Sequence, residues 1–517
     1  MTAATLTRSG LDASVPAHTL IRDAQARTLF AHDVYAAGPE PLTVFRPDTV
    51  EELAAGIAAA TAEGIAIVPR GGGMSYTGGY LSPTPRFILI DTAGLNRVIA
   101  LNEADMTVTV EAGISWDALR RFLQPRGYRV RCWGTLSGIN ATVGGGMSQN
   151  GVFWGAGAGT VVDSALSFDV VLADGRIVST GSPFFRPYGP DVTGLFAADC
   201  GAFGVKARVT LRLVKEGRCA YGSYAFDTAD QILAAMAGIA REGLATENFG
   251  FDPFLQSQRM KRESLASDAK SLVTMMKAQG SLLKGLKEGA RVALAGRGFL
   301  EGVPFSLHCI AERRREAEAE ADIAEINRIV AAAGGTAVEN SIPKILRANP
   351  FPPVNSMVGP NGERWVPVHG FLPHSRLIEG WNAVQAIYAA HADAMARLGV
   401  EAGAMLAAVS PQACLIEPVF FWPEALNPLH RHAVEPAHLA KLKGFGANPD
   451  ATALVHKLRG EIIVAFQALG AIHLQIARTY PLKASHDPAL WQLLGALKRE
   501  LDPDGLMNPG VLGLGGD

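Results

Sequence analysis

The chain has 517 residues, 48% of them hydrophobic and 19% charged, and its formal net charge is −2. This length allows two or three domains with their own cores, and the composition is that of a globular protein. A near-neutral charge provides no field that attracts nucleic acid, so we expect no nucleic-acid partner. The five cysteines are scattered without a CxxC pair, which argues against a disulfide framework or a structural zinc site.

The first twenty residues contain neither the basic nor the apolar segment of a secretory signal, and no apolar stretch reaches membrane-spanning length. We therefore expect a cytoplasmic protein. A basic segment at 261–298 predicts a solvated helix pair, with peripheral contact to a membrane as the weaker alternative. The sequence leaves the oligomeric state open, and a homo-oligomer is one alternative.

The N-terminal part alternates short strands with helices. LTVFRP (42–47) predicts a strand, and residues 48–64 predict a helix with Asp48 as its N-cap. GIAIVPR (64–70) predicts a strand that runs into a glycine turn. Further strands follow, together with an amphipathic helix capped by Ser115.

Residues 132–162 contain nine glycines and little periodicity, which predicts a long structured loop. LSFDVVLADGRIVST (166–180) then predicts a hairpin. After about residue 215 two strand–helix–strand units follow, and GAIHLQIARTYP (470–481) predicts one more strand. This order indicates an α+β fold whose second domain has a sheet covered by helices on one face.

The stretch PRGGGMSYTGGY (69–80), the first glycine segment, holds five glycines. It fails the Rossmann pattern, because the third required glycine falls on Tyr76 and no helix follows, and it lacks the Lys of a P-loop. What remains is a run of exposed backbone N–H groups that suits a pyrophosphate, with a plain tight corner as the alternative. GINATVGGGMSQNG (138–151), the second glycine segment, predicts another such nest, so an extended ligand with a diphosphate and a second polar head is expected.

Both glycine segments resemble the FAD-binding domain shared by the vanillyl-alcohol oxidase and para-cresol methylhydroxylase (PCMH) superfamily of FAD-linked oxidases. The hairpin at 166–180 and the tail DPDGLMNPGVLG (502–513) resemble that family in order and spacing. The motifs cover about the first 215 residues and about the last 40. The resemblance implies a PCMH-type FAD-binding domain at 1–217, a substrate-binding cap domain at 218–475, and a C-terminal segment at 476–517 that returns to the FAD domain.

The resemblance also implies FAD as the cofactor and a set of residues that hold it. Those of the first glycine segment would hold the diphosphate: Arg70, Gly71, Gly72, Gly73, Met74, Ser75, Gly78 and Gly79. Those of the second would lie along the pyrophosphate and the isoalloxazine: Thr142, Gly144, Gly145, Ser148 and Asn150. Gly204 and Val205 would flank the adenosine half, and Asn508 would lie near the flavin ring or its ribityl chain.

The mode of flavin attachment follows from one departure from the family pattern. In the berberine-bridge-like branch, a histidine that binds flavin covalently stands where this chain has Met74. We therefore expect non-covalent FAD, with a tether from another histidine, such as those of residues 429–438, as the alternative.

Polar residues in the apolar strands of the predicted cap domain are the candidate catalytic groups. His369 and His473 could accept the proton of a substrate hydroxyl, and Glu417 is the lone charge of its strand. The alternative is that each histidine is only hydrogen-bonded in place and that Glu417 pairs with an arginine such as Arg431. His473 and Gln475 are expected on the strand face that roofs the flavin.

ARTYP (477–481) resembles the tyrosine–arginine stretch of the phenol-oxidising members, with Arg478 at the arginine position. Ala477 replaces the tyrosine, although Tyr480 lies two residues beyond Arg478. A fixed cation there would stabilise the charge that hydride transfer places on flavin, or would bind a substrate carboxylate. The paired-histidine HVGDGN-type motif of the metal-assisted branch is missing, so no metal is expected.

The function that these features predict is an FAD-dependent oxidoreductase that takes hydride from the CH–OH of a small alcohol or 2-hydroxy acid. One alternative is oxidation of para-substituted phenols, and another is a flavin-binding protein without turnover. The electron acceptor stays open between oxygen, a quinone and a cytochrome.

Overall fold

The computed structural model describes residues 10–262 and 305–515 of the chain. Within these ranges the chain forms three β-sheets with helices packed around them, so the α+β prediction is confirmed. Nearly all of the basic segment at 261–298 lies outside the described residues.

The first sheet has four strands in the order β1-β2-β4-β3, with β2, β4 and β3 parallel to one another. The strands are β1 (Leu20–Ile21), β2 (Val44–Phe45), β3 (Ala66–Arg70) and β4 (Phe87–Asp91). The helix between β2 and β3 begins one residue later than predicted, because the Thr49 side chain, and not Asp48, caps it by accepting from the Glu52 N–H at 3.1 Å. Strand β3 ends at Arg70 and leads directly into the first glycine segment.

The second sheet is antiparallel, in the order β5-β6-β10-β8-β9, with β7 also paired to β10. Its strands are β5 (Val98–Asn102), β6 (Thr107–Glu111), β7 (Tyr128–Val130), β8 (Ala165–Val171), β9 (Ile177–Ser179) and β10 (Val205–Lys215). The hairpin predicted at 166–180 joins β8 to β9, and Gly175 takes the left-handed conformation (φ 82°) that its turn requires.

The third sheet is antiparallel and has eight strands, in the order β14-β11-β13-β12-β17-β18-β15, with β16 also paired to β18. Its strands are β11 (Arg218–Phe226), β12 (Glu247–Phe251), β13 (Phe305–Arg313), β14 (Thr336–Ala337), β15 (Arg364–Pro367), β16 (Gly370–Pro373), β17 (Glu401–Val409) and β18 (Ala413–Trp422).

The helices, in chain order, are α1 (Gly10–Ser14), α2 (Ala24–Phe30), α3 (Val50–Ala62), α4 (Trp116–Leu123), α5 (Val143–Gln149), α6 (Val192–Phe196), α7 (Ala229–Arg241), α8 (Pro253–Arg262), α9 (Glu316–Ala332), α10 (Ser341–Ala348), α11 (Leu377–Ala390), α12 (Ala392–Leu398), α13 (Pro428–Ala433), α14 (Pro436–Leu439), α15 (Pro449–Ala468) and α16 (Pro488–Leu501).

The two faces of the third sheet have different partners because side chains alternate along each strand. On β18, Ile416 and Phe420 belong to a core shared with buried residues of α7, α11 and α15. Leu415 and Val419 belong to a second core, which includes residues of the second sheet and α5. Helices therefore cover one face, as predicted, and the other face points toward the glycine segments.

Two predicted elements are wrong. Residues 143–149 form helix α5 inside the predicted loop, with the Thr142 side chain as its N-cap; three glycines within it hid its periodicity. Residues 470–481 are not a strand, apart from an isolated bridge between Ile472 and Phe371. Gln475 and Ala477 have φ of 51° and 43°, and these left-handed residues break the alternation of side chains.

Candidate active site

A cavity of about 800 Å³ lies where the three sheets meet. Residues of β3 and β10 line it from the first two sheets, and residues of β12, β17 and β18 line it from the third. The residues predicted to hold the cofactor or to act in catalysis that line this cavity are Arg70, Gly71, Gly72, Gly73, Met74, Ser75, Gly79, Thr142, Gly144, Gly145, Ser148, Gly204, Val205, His369 and Glu417. The predicted residues that do not line it are Gly78, Asn150, His473, Arg478, Tyr480 and Asn508.

The first glycine segment presents unused backbone donors to the cavity. The N–H groups of Gly72, Gly73, Met74 and Ser75 donate no hydrogen bond within the described part of the chain. The left-handed φ of Gly73 (72°) turns the backbone there, and a Cβ at Gly73 would collide with the Arg70 guanidinium. Consecutive free N–H groups are suited to anionic oxygens, so this segment fits a pyrophosphate.

The second glycine segment is not the open nest that was predicted. The N–H groups of Gly144 and Gly146 donate to Ala112 O (2.7 Å) and Thr142 O (2.9 Å), and that of Gly145 donates to Thr142 Oγ1 (3.1 Å). The glycines serve close packing instead, since a Cβ at Gly144 would collide with Ala112. At Gly145 an added Cβ would meet only Thr142 Oγ1, at 3.0 Å, so this position faces free space in the cavity.

The two glycine segments also pack directly on each other. A Cβ at Gly72 would overlap the backbone carbonyl of Asn140, and one at Gly71 would overlap the Thr142 hydroxyl. This approach brings four free N–H groups and the open surface at Gly145 into one cavity. An extended ligand with a diphosphate and a planar head therefore fits the residues present, which is the fit that FAD requires.

Arg478 and Asn508 hold the C-terminal segment against the first glycine segment. The Arg478 guanidinium donates to Gly78 O (2.7 Å), Pro509 O (2.6 Å) and Asn508 Oδ1 (2.8 Å). The Asn508 amide donates to Gly79 O (2.9 Å) and Cys200 O (2.7 Å). Burial lowers the pKa of Arg478 to about 10, and its hydrogen bonds go to neutral oxygens. Both side chains thus contact the loop from outside the cavity wall.

Asp33 holds the same loop from the other side. Its buried carboxylate accepts from the Tyr35 N–H (2.8 Å), the Ala36 N–H (2.6 Å) and the Gly78 N–H (2.9 Å). Burial raises the pKa of Asp33, and these backbone donors oppose that rise. Sequence reasoning did not single out this residue, since nothing local links it to a loop 45 positions away.

His369, His473 and Tyr480 form one buried cluster. His369 Nε2 lies 2.9 Å from Leu474 O, and His369 Nδ1 lies 3.2 Å from the Tyr480 hydroxyl. The His473 ring stacks on Tyr480 at 4.2 Å between ring centroids, and its Nδ1 lies 2.7 Å from His369 O. Burial lowers the pKa of His369 to about 3 and lowers that of His473 as well. The cluster is therefore neutral, and both ring nitrogens of His369 are already engaged.

Glu417 is the predicted catalytic residue whose carboxylate stays unengaged at the cavity wall. It lies on β18 opposite Met405, and no hydrogen bond or ion pair to its carboxylate is found among residues 10–262 and 305–515. The alternative, an ion pair between Glu417 and Arg431, does not form between these two described residues, and Arg431 is exposed. Burial raises the pKa of Glu417 to about 7. A carboxylate with this pKa can accept a proton at neutral pH.

Tyr76 and Gln475 also line the cavity, and the charge of Glu417 acts on Tyr76. Tyr76 hydrogen-bonds with the Gln475 side chain, and burial together with the Glu417 charge raises the pKa of Tyr76. The Gln475 N–H donates to Gln149 O at 2.8 Å, which holds the residue just before the C-terminal segment against α5. The sequence predicted Gln475 on this wall but not Tyr76. The position of Tyr76 within the first glycine segment is the sequence feature that could have indicated its place in the cavity.

Two features are missing from the described residues, 10–262 and 305–515. No helix within them is long and apolar enough to cross a membrane. No group of three or more His, Cys, Asp or Glu side chains within them could hold a metal ion.

Comparison with known families matches two parts of the chain. Residues 41–181 match a family model described as an FAD binding domain, and residues 476–512 match one described as the C-terminal domain of FAD linked oxidases. The first match contains both glycine segments, and the second contains Arg478 and Asn508.

Among characterised or named proteins, the chain is similar to D-lactate dehydrogenase [cytochrome] 1 of Saccharomyces cerevisiae, at 28% identity over 43% of this chain and 38% of that protein. It is similar to a probable mitochondrial D-lactate dehydrogenase of Danio rerio, at 30% identity over 44% and 47% of the two chains. It is also similar to the glycolate oxidase subunit GlcD of Bacillus subtilis, at 27% identity over 35% and 39%. The matched segments span less than half the length of each of these relatives.

Solved structures share the fold over nearly the whole chain. Alkyldihydroxyacetonephosphate synthase superposes with a TM-score of 0.71 at 15% identity, covering 98% of this chain and 86% of that chain. p-Cresol methylhydroxylase superposes with a TM-score of 0.71 at 14% identity, covering 98% and 96%. Residues 41–181 therefore form an FAD binding domain and residues 476–512 a C-terminal domain of FAD linked oxidases, on a fold shared with p-cresol methylhydroxylase, and FAD is the cofactor of the chain.

Proposed function

We propose that this protein is an FAD-dependent oxidoreductase that takes hydride from the CH–OH carbon of a small alcohol or 2-hydroxy acid and releases the carbonyl product. The observation that carries the proposal is one cavity lined both by the free N–H groups of Gly72–Ser75 and by the unengaged Glu417 carboxylate. The D-lactate dehydrogenase and glycolate oxidase names of the relatives support oxidation of a carbon that bears a hydroxyl.

The first glycine segment would bind the diphosphate of FAD through its free N–H groups, and the open surface at Gly145 would accept the flavin side of the cofactor. When bound, FAD supplies the two-electron acceptor for the reaction. Met74 lines the cavity at the position where a histidine carries the covalent link in another branch. We therefore propose that the flavin is held without a covalent bond.

Glu417 is the group that we assign to the hydroxyl proton. Oxidation of an alcohol removes a hydride from carbon and a proton from oxygen, and the proton needs an acceptor at the wall. The carboxylate of Glu417 is ionised in about half of the molecules near pH 7, where its pKa lies. His369 is a poorer acceptor, because its ring nitrogens are already engaged and its pKa is lowered to about 3.

The remaining polar groups of the wall position the reacting groups. Tyr76 and Gln475 are hydrogen-bonded to each other, and their side chains stay neutral near pH 7, so they orient a substrate hydroxyl without competing for its proton. The His369–His473–Tyr480 cluster fixes the backbone between β15 and β16 opposite Glu417, since the Tyr480 hydroxyl accepts the His369 N–H at 2.9 Å.

The test is the visible spectrum of the purified protein, followed by anaerobic addition of alcohols, 2-hydroxy acids and para-substituted phenols. We expect flavin absorbance at about 450 nm, and bleaching by members of the first two groups. Bleaching by phenols alone would favour the quinone-methide chemistry of the phenol-oxidising members. A flavin that dithionite reduces but none of these donors reduces would contradict the proposal and favour a binding protein without turnover.

A further inference from the structure

The third sheet surrounds Glu417 mainly with apolar side chains on the cavity wall. Strand pairing aligns Phe251 with Met405 and Met405 with Glu417, so these three residues form a row across the sheet on one face. Leu415 and Val419, two positions on either side of Glu417 along β18, lie on the same face and also line the cavity. On the sheet, Glu417 is thus a carboxylate among hydrocarbon and thioether side chains, and the hydrogen-bonded pair Tyr76 and Gln475, which also lines the cavity, is neutral.

The fourth member of this row is neutral. Pairing of Gly370 with Ile416 and of Pro367 with Val419 places His369 opposite Glu417. Its ring nitrogens are engaged by Leu474 and Tyr480, and burial keeps the ring uncharged near neutral pH. His369 therefore provides no positive charge beside Glu417.

The permanent cations among the described residues that line the cavity all lie away from this wall: Arg70, Lys206 and Lys441. Lys206 is buried in an ion pair with Asp199. The Arg70 guanidinium lies over the rings of Phe30 and Tyr80, at 4.4 and 5.3 Å, on the side of the first sheet.

Lys441, the third cation, is solvent-exposed and therefore lies at the open end of the cavity. Near it, Glu435 is also exposed and accepts a hydrogen bond from Asn355 at 2.8 Å. The charged groups at the mouth of the cavity are thus hydrated, in contrast to Glu417 on the inner wall.

We propose that the substrate is an uncharged alcohol with an apolar body, and that the wall around Glu417 rejects a carboxylate attached to the reacting carbon. This inference rests on the proposed function and narrows its substrate from alcohols and 2-hydroxy acids to alcohols. The buried Arg459 does not line the cavity, although its charge acts on His369, Tyr76 and Tyr480. A substrate carboxylate at this wall would lose its hydration, would contact no cation, and would meet the negative charge of Glu417. Aliphatic or aromatic carbon at the same place would be buried against Phe251, Met405, Leu415 and Val419.

The first test compares two donors on the holoenzyme that differ in a single group. 1-Phenylethanol and mandelate both carry a hydroxyl on a benzylic carbon, and mandelate has a carboxylate where 1-phenylethanol has a methyl group. We expect anaerobic flavin reduction by 1-phenylethanol to be at least about tenfold more efficient than by mandelate, with both enantiomers of each assayed. Lactate and 2-propanol form a second pair with the same expected order.

The possible outcomes distinguish failure of the neutral-substrate inference from failure of the proposed function. Faster reduction by mandelate and lactate would overturn the neutral-substrate inference and leave oxidation of CH–OH in place. Reduction by no member of either pair, with dithionite still bleaching the flavin, would overturn the proposed function, and the inference with it.

The second test measures equilibrium binding and needs no turnover. Benzoate and its neutral analogue benzamide are titrated into the holoenzyme, and binding is read from the perturbation of the flavin spectrum. We expect the parent to bind benzamide at least about tenfold more tightly than benzoate, and Glu417→Gln to remove most of that difference by tightening benzoate alone. Glu435→Gln removes a carboxylate at the mouth and serves as the matched control, with both affinities within about twofold of the parent.

Two results would overturn the inference. One is a parent protein that binds benzoate as tightly as benzamide. The other is an equal gain in benzoate affinity from Glu435→Gln and Glu417→Gln, since the discrimination would then come from the overall charge of the cavity and not from its inner wall.

Discussion

Replacement of Arg478 by methionine tests whether this residue holds the cofactor loop or acts on the flavin itself. The guanidinium donates to two backbone carbonyls and one amide oxygen, of Gly78, Pro509 and Asn508. Methionine keeps much of the length of the side chain but none of its donors. The three acceptors then lose their partner, and the C-terminal segment loses its attachment to the first glycine segment.

The magnitude follows from these contacts. A hydrogen bond from a charged donor contributes about 1.5 to 3 kcal/mol. The depression of the Arg478 pKa to about 10 corresponds to a burial cost of about 3 kcal/mol, which the substitution relieves. The net expected loss for the three hydrogen bonds is about 1.5 to 6 kcal/mol in the free energy of unfolding. Because the loop presents the free N–H groups, we also expect FAD affinity to fall by at least about tenfold.

The assay has three readouts: denaturant unfolding of the holoprotein, the dissociation constant of FAD, and the rate of anaerobic flavin reduction at saturating FAD and substrate. Arg478→Met should change the first two and leave the third within about threefold of the parent. Arg478→Lys can replace only some of the guanidinium donors, so its stability and FAD affinity should lie between those of the parent and those of Arg478→Met. Arg499→Met, at an exposed position of α16, is the matched control and should change none of the three.

The opposite pattern would refute this reasoning. If stability and FAD affinity stay at the parental values while flavin reduction slows by two to three decades, Arg478 stabilises charge that develops during the reaction, which the resemblance to phenol-oxidising members also allows. A loss of that size corresponds to about 3 to 4 kcal/mol of transition-state stabilisation.

Three further predictions concern the cavity. Gly145→Glu should abolish FAD retention while changing the stability of the apoprotein little, because Thr142 Oγ1 is the one heavy atom near the added Cβ. Gly72→Ala should destabilise the apoprotein itself, because its Cβ overlaps the Asn140 carbonyl. Equal melting temperatures for the two apoprotein variants would contradict this assignment. Burial raises the pKa of Glu417 to about 7, so the rate of flavin reduction by a neutral alcohol, measured by stopped flow, should fall about tenfold per pH unit below 7 and level off above it. The Glu417→Gln variant should reduce flavin about 10²- to 10⁴-fold more slowly, at a rate that does not depend on pH. An unchanged pH profile in the variant would exclude Glu417 as the proton acceptor. Acid precipitation should release the flavin into the supernatant, because Met74 stands at the position of the covalent histidine, and colour retained by the pellet would direct attention to His438, which also lines the cavity.

The sequence by itself determined the first glycine segment, the α+β class and the family resemblance. These features are local: a strand that runs into PRGGGMSYTGGY produces a backbone turn whose N–H groups are exposed, whatever lies elsewhere in the chain. The helices with strong caps and apolar periodicity, such as α3 and α4, were also predictable for this reason. Helix α5 was not, since glycine has low intrinsic helix propensity and tertiary contacts stabilise the helix, among them packing on Ala112 and burial of Val143 and Met147.

The roles of the polar residues were decided by tertiary structure. Local alternation could not show that Gln475 and Ala477 adopt left-handed conformations, or that Arg478 turns to Gly78, a residue 400 positions away in the chain. His369 is engaged by residues more than 100 positions away, while Glu417, which has the same strand-like surroundings in sequence, is left unengaged. Whether a polar side chain keeps a free atom for chemistry depends on the partners that the folded chain brings to it, and partners from distant parts of the chain leave no mark in the local pattern.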